Sequence, residues 1–392
     1  TEDGSLSIVS PPKRAKIFVS KIISFSIYSN HAVWITKENR CFASGCNRGY
    51  RISNSIPALD AINCEEVTIK SSQGHPYKLL SAVCGDQYTL YMAEKIRKLK
   101  PNKFLLAYVY ADENHCAPLI IKMGKNQPAA LYGGEENAAV IDGNGAFQII
   151  NKSRFKSIGS NSPNFILPDN EKAVFIACCN KIIIVLSSIG HVFTLSIDEN
   201  SIGQPEPCTE LREINIINIS GTSGHCFAVS DHGNVYVRGE SWAGRLGIDS
   251  DLENEAKTKF VKIDKFFNHH KHRPFFTAAY AGFDHSIFQC SSNQILACGN
   301  DNYGQFFHYF NGQYFSTPVE VPIKFNPTFI IAGNGLTCAF IDTEPQYFCP
   351  NQKIRADSIV SKVEFGPSEI ANLRMENETL KQRIQDLELQ LS

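Results

Sequence analysis

Residues 283–306 read FDHSIFQCSSNQILACGNDNYGQF: a histidine, a strand-like run, a turn, a second run ending in Cys298-Gly299, then Gly304-Gln305-Phe306. Sixty residues upstream stands GHCFAVSDHGNVYVRGESWAGRL, residues 224–246. Placing His225 on His285 puts Val235 on Ile295, Gly239 on Gly299 and Gly244 on Gly304 without a gap. Near the start, NHAVWITKENRCFASGCNRGY repeats the interval, from His31 to Gly45. A motif that returns at fixed spacing is part of an architecture before it is a site.

Weaker copies fill the rest. Asn137 and Ile182 stand at the histidine position, followed by the turn glycines Gly145 and Gly190, and Tyr88 and Leu336 mark two more units at their first strand only. The landmarks 31, 88, 137, 182, 225, 285 and 336 define seven units of roughly fifty residues. Within a unit, short runs rich in β-branched and aromatic residues are separated by turn chemistry such as Asp231-His232-Gly233-Asn234, which reads as hairpins of about four strands. Seven such units predict an all-β chain, a closed seven-bladed β-propeller, because a ring of blades protects its sheet edges.

The pattern Gly-x-x-His, turn, hydrophobic strand, Gly, then Gly-Gln resembles the repeat of the regulator of chromosome condensation family. The resemblance is strong in units five and six, fair in unit one and faint in units two, four and seven. The tryptophan usual before the second glycine is Arg238, Cys298 and Ser44 here. It implies a seven-bladed propeller and, as activities found on that fold, guanine nucleotide exchange on a Ran-like small GTPase or a non-enzymatic adaptor role. The loops that would carry exchange residues do not match position by position.

The bulk composition fits a large core: 43% hydrophobic, 20% charged, 26 Phe and 14 Tyr in 392 residues. A net charge of −1 supplies no overall field for nucleic acid or anionic lipid, so neither is an expected partner. The 13 cysteines, several inside apolar runs, suit a reducing compartment, so the protein is expected inside the cell, in cytoplasm or nucleus. The run from Ala173 to Leu195 is interrupted by Asn180, Lys181 and His191 and reads as a hairpin, short of a membrane span. The start at Thr1 is read as the mark of a portion of a longer protein.

Because His31, His225 and His285 recur with the period, they read as scaffold that bonds neighbouring backbone, and Gly45, Gly239 and Gly299 as tight approaches. No phosphate-binding Gly-Lys-Ser loop, His-Glu-x-x-His or Gly-x-Ser-x-Gly elbow is present, so no catalytic residue, cofactor or metal site is assigned. Departures from the repeat are the better candidates. EKIRKLKPNKF crowds Lys95, Arg97, Lys98, Lys100 and Lys103 onto a projecting basic hairpin, a candidate contact for an acidic protein, a phosphate or nucleic acid. Unit five carries an insertion, Asp249 to Arg273, whose His269, His270 and His272 lack a paired Cys or acidic ligand at metal spacing. The Lys13, Arg14 and Lys16 cluster is a weak nuclear address.

After Gly366-Pro367 the composition changes: Ile370, Leu373, Asn377, Leu380, Ile384, Leu387 and Leu391 fall at alternating intervals of 3 and 4. With Ile370 at heptad position a, the pattern predicts a parallel two-stranded coiled coil, with Asn377 fixing register. Glu369 with Arg374, Glu376 with Lys381 and Arg383 with Glu388 then form attractive pairs between the chains. The expected layout is an N-terminal segment (1–20) able to supply a closing strand, the propeller (21–350), a linker or closing strand (351–367) and the coil (368–392). The expected function is a protein-binding scaffold made bivalent by homodimerisation, the alternative being nucleotide exchange.

Overall fold

The computed structural model describes residues 22–28, 31–59, 62–95, 103–109, 118–121, 127–151, 163–198, 201–264, 274–302, 304–306, 314–322, 327, 329–334 and 337–340. The chain divides into two compact units, Thr1–Pro350 and Asn351–Ser392, and every described residue lies in the first.

Among the described residues the strands form seven separate antiparallel sheets in chain order. Blade 1 is Ile22–Tyr28, His31–Thr36, Cys41–Gly45 and Ile62–Val67; blade 2 is Tyr77–Cys84, Tyr88–Lys95, Lys103–Val109 and Leu119–Ile121. Blade 3 is Pro128–Gly133, Asn137–Asp142 and Phe147–Asn151; a single bridge from Phe147 to Phe165 stands where a fourth strand would be. Blade 4 is Ala173–Cys178, Ile182–Ser187, Val192–Ser196 and Glu206–Pro207; blade 5 is Ile216–Thr222, His225–Ser230, Val235–Gly239 and Val261–Lys262. Blade 6 is Phe276–Ala281, His285–Cys290, Ile295–Asn300 and Tyr314–Glu320; blade 7 shows Phe329–Ala332 and Thr337–Phe340.

The first strand of each blade packs against the first strands of both neighbours, and the seventh returns to the first. That circle makes the chain a seven-bladed propeller with the first strands innermost. Second strands are mostly buried, entirely so in HAVWIT of blade 1, NAAVID of blade 3 and HCFAVS of blade 5, because both faces meet a neighbouring blade. Closure is apolar: Ile22 and Phe25 of blade 1 share one cluster with Tyr280 of blade 6 and Ile330 of blade 7. Outer strands are partly exposed, Ile120 being 53% accessible.

The insertion of unit five is not one loop. Val261–Lys262 runs through it as the fourth strand of blade 5, so residues 240–260 leave one end of the sheet and Ile263 and Asp264 follow at the other.

Candidate partner-binding face

All the landmarks the structure describes open the second strand of their blade: His31, Tyr88, Asn137, Ile182, His225 and His285. From there the histidine side chains reach a hydroxyl of the next blade. His31 Nε2 lies 3.0 Å from Thr89 Oγ1, His225 Nε2 2.8 Å from Ser286 Oγ, and His285 Nε2 2.7 Å from Thr337 Oγ1. Each hydroxyl directly follows the landmark of its own blade. Where a blade begins on another residue, the following blade has no hydroxyl there but Ala138, Ile183 or Cys226. That pairing of His with a hydroxyl one unit later was available in the sequence as a signal, and single-unit alignment passes over it.

Tyr88 and Asn137 make the same reach to carbonyls. Tyr88 Oη donates to Gly134 O and Asn137 O at 2.9 Å, and Asn137 Nδ2 donates to Cys179 O at 3.0 Å. Ser286 itself donates to Arg245 O at 2.7 Å, so its oxygen accepts from His225, which fixes His225 as the neutral Nε2–H form. Burial, and then the Arg245 charge, push His225 well below the usual imidazole range; burial and Arg51 push His31 down to about 3.

The Gly-x-x-His spacing has a steric cause. A Cβ on Gly282 would overlap the His285 ring, and one on Gly85 the Tyr88 ring. Gly239 and Gly299 pair directly with His225 and His285 at φ 135° and 101°, where a Cβ would strike the backbone of Gly224 or Asp284.

A second fastening uses arginine. Arg245 Nη1 donates to Phe283 O of blade 6 at 2.7 Å, and Arg51 Nη1 donates to Asp86 O of blade 2 at 3.1 Å. Arg51 thus occupies in blade 1 the place of Arg245 and Gln305, with Tyr50-Arg51-Ile52 standing for Gly-Gln-Leu and Tyr50 held at φ 55°. The non-glycine residue hides this copy of the motif from the sequence. Between the first two strands of successive blades, backbone bonds continue around the ring: Asp86 N to Glu135 O, Asn180 N to Ser223 O and Phe283 N to Gly333 O.

These connections, with the long loops after the third strands, form one face of the propeller. At its axis the innermost strands of blades 1 and 5 end at Tyr28 and Thr222, close to Glu135 and Asp86. Asn180 Nδ2 donates to Glu135 Oε2 at 2.7 Å. Tyr28 is 4% exposed, and burial, then the charge of Glu135, raises its phenol far above the usual value. Farther out, Trp242 is 51% exposed and meets Phe283 edge-on at 5.8 Å between ring centres. Tyr314 is 59% exposed and accepts from Asn302 Nδ2 at 3.0 Å. The loop that carries Trp242 also bears Glu240, Asp249, Asp251, Glu253 and Glu255; Lys181 pairs with Glu240 at 3.4 Å and Ser241 donates to Glu253 at 2.6 Å.

Lys95 and Lys103 lie at the opposite end of the blades, ending and beginning the two strands of the blade 2 hairpin, where Glu94 pairs with Lys103 in register. Arg97, Lys98 and Lys100 lie outside the described residues, as do His269, His270 and His272, Lys13, Arg14 and Lys16, Leu336 and the coil from Glu369 to Leu391. Among the described residues no group of three His, Cys, Asp or Glu is arranged to hold a metal, and no helix is long and apolar enough to cross a membrane. Nine of the ten described free thiols are buried, and burial raises Cys84, Cys208 and Cys290 to about 12, which makes them poor nucleophiles.

No family model matches the chain, and no curated protein matches it. Solved structures do. Human WBSCR16 aligns at a TM-score of 0.63 with 13% identity, over 82% of this chain and 88% of that one. Prp20p from Saccharomyces cerevisiae, described with its binding properties to Gsp1p and histones, aligns at 0.59 with 14% identity over 87% and 86%. Yeast RCC1 (Prp20), from its complex with Kap60, aligns at 0.61 with 14% identity over 86% and 83%. The fold is therefore a β-propeller of the regulator of chromosome condensation type. At these identities the likeness establishes architecture alone.

Proposed function

We propose that this chain is a non-enzymatic interaction scaffold whose loop face engages a protein partner. The observation that carries the reading is the exposure of Trp242 and Tyr314 on that face, beside side chains otherwise committed to joining blades. Aromatic residues left in water on a rigid platform are the side chains most often found to dominate protein interfaces. The segment from Glu369 to Leu391 adds bivalency by pairing two chains in parallel, since a second linked face raises effective concentration. Affinity capture with the full chain and with the Trp242→Ala, Tyr314→Ala double variant tests the face. Proteins retained by the first and lost by the second support the reading, and identical recoveries overturn it. Light scattering tests the pairing, which is wrong if the full chain at micromolar concentration is a monomer.

The second reading is nucleotide exchange on a small GTPase, supported by the likeness to Prp20p, which is described as binding Gsp1p. Its measurement is the release rate of a fluorescent nucleotide from such a GTPase. Acceleration by catalytic amounts of this chain would favour exchange over scaffolding.

A further inference from the structure

Trp242 is held in water by a turn that is fastened on both sides. Its N–H donates to Glu240 O at 3.2 Å, and its carbonyl accepts from Arg245 N at 3.1 Å. The buried Arg245 guanidinium ties the turn down, Nε donating to Glu240 O at 2.8 Å and Nη1 to Phe283 O at 2.7 Å. Gly244, at φ 77°, lies so close to Phe315 and Ser316 that a Cβ would strike their backbone, and Leu246 is fully buried in the cluster shared by blades 5 and 6. The indole meets Phe283 edge-on and remains 51% exposed. Tyr314, also exposed, directly precedes the Phe315 on which the turn rests. A large ring kept accessible on a fixed turn offers a partner contact area at little ordering cost.

We infer that the Trp242 indole receives a cationic side chain presented by a basic segment of the partner. This rests on the scaffold reading and narrows it. The charge around the ring selects the occupant. Glu240 stands two residues before Trp242 with its side chain exposed, and Ser241, between them, donates to Glu253 Oε1 at 2.6 Å, which brings a second carboxylate to the same turn. Asp249, Asp251 and Glu255 lie in the same loop, all exposed. Lys257 and Lys259 come after the short helix Glu253–Ala256, where the chain leads to the outer strand of blade 5, and Lys257 donates to Asn254 Oδ1 at 3.1 Å. Arg245 is buried and attracted by Glu240 and Asp284. Lys181 pairs with Glu240 at 3.4 Å with 86% of its side chain in water, and so exposed a pair is readily exchanged for a partner's cation. An aromatic face with carboxylates at its rim joins cation–π to Coulomb attraction, whereas an acidic segment would meet like charges there.

The test uses the full chain and a fluorescein-labelled twelve-residue peptide of alternating arginine and glycine, read by fluorescence anisotropy at low and at physiological salt. Trp242→Ala is expected to weaken binding by about tenfold, and Trp242→Leu by nearly as much, because leucine keeps apolar area without an aromatic face. Trp242→Phe should retain most of the affinity. Glu240→Gln with Glu253→Gln is expected to weaken binding by about fivefold at low salt and by less at physiological salt, where screening has already reduced the attraction. A peptide of alternating glutamate and glycine should not bind. Glu38→Gln, in an exposed turn at the opposite end of blade 1, is the control and should change nothing. The substituted side chains are exposed or half-buried, so every variant should melt with the parent chain. Full affinity in Trp242→Leu, unchanged affinity in the Glu240 and Glu253 variant, equal loss in the Glu38 variant, or no binding of the basic peptide overturns the proposal. Partner capture that needs Trp242 and Tyr314 but survives Trp242→Leu and ignores both glutamates removes the cation and leaves the scaffold standing. Capture indifferent to Trp242 and Tyr314 removes the scaffold and this proposal with it.

Discussion

The joint between blades 5 and 6 and the joint between blades 4 and 5 occupy equivalent places in the ring and are built from opposite materials. In the first, His225 donates to Ser286, Ser286 to Arg245 O, and Arg245 to Phe283 O, a buried polar relay crossing the interface three times. In the second, Ile182 stands in place of the histidine, and Ile183, Ile219, Cys226 and Ala228 share one apolar cluster. Gly221 lets Cys179 sulfur come close, and the polar links include Asn180 N to Ser223 O at 3.0 Å, Cys179 Sγ to His225 O at 3.8 Å and the exposed Lys181–Glu240 pair, with no counterpart of the His–Ser–Arg relay among them. The lesson is that a blade joint tolerates either solution provided both sides agree. A mixed joint would leave a buried donor without an acceptor.

The largest effect should come from Gly239→Ala in the polar joint. A methyl there meets backbone at a φ that side chains rarely adopt, so a loss of about 3 kcal/mol or more, or failure to fold, is expected in urea unfolding. Gly221→Ala in the apolar joint meets the movable Cys179 sulfur and should cost about 1–2 kcal/mol. Next, His225→Ala removes a fully buried ring and strands Ser286, for about 3 kcal/mol, whereas Ile182→Ala removes a partly buried side chain for about 1 kcal/mol.

Acid should distinguish the joints in a third way. His31 and His225 are held neutral when folded, with His31 lowered to about 3, so below an unfolded value near 6.5 the unfolded chain binds more protons. Their contribution is complete above that value and is lost as pH falls from it toward 3. Melting followed from pH 7 to 4 should show a decline that is shallower in a His31→Asn, His225→Asn variant. The smallest expected effect is pairwise: a double-mutant cycle on His225 and Ser286 should give coupling of about 1–2 kcal/mol, and one on Ile182 and Cys226 about none beyond packing.

The ring was legible in the sequence because its units are held by sterically demanding positions: Gly282 makes room for His285, Gly299 lets backbone close on it, and such requirements leave visible residues. Blade 1's loop motif was hidden because Tyr50 adopts the positive φ that glycine holds elsewhere. The insertion of unit five was misread as continuous because its fourth strand is two residues, too short for periodicity. The cluster at the axis was not legible at all. Tyr28, Glu135, Asn180 and Thr222 sit in four blades, each an ordinary residue in its own unit, and only ring closure brings them together. Sequence reading placed the candidate surface on the basic hairpin at Lys95 and Lys103, whereas Trp242 and Tyr314 lie on the other face.

The His-to-hydroxyl pairing has a consequence for how such a chain can grow or shrink. The landmark position and the position after it serve different neighbours: the first reaches the following blade, the second meets the landmark of the preceding one. Blade 5 pairs a donor, His225, with a non-acceptor, Cys226, and blade 1 pairs His31 with Ala32, so a tandem copy of either would face its twin mismatched. Blade 6, with His285 followed by Ser286, is self-compatible and could be duplicated beside itself with its joint intact. The inheritable module of this propeller is therefore the joint, and residues 283–306 contain the one described His blade that carries both halves of it.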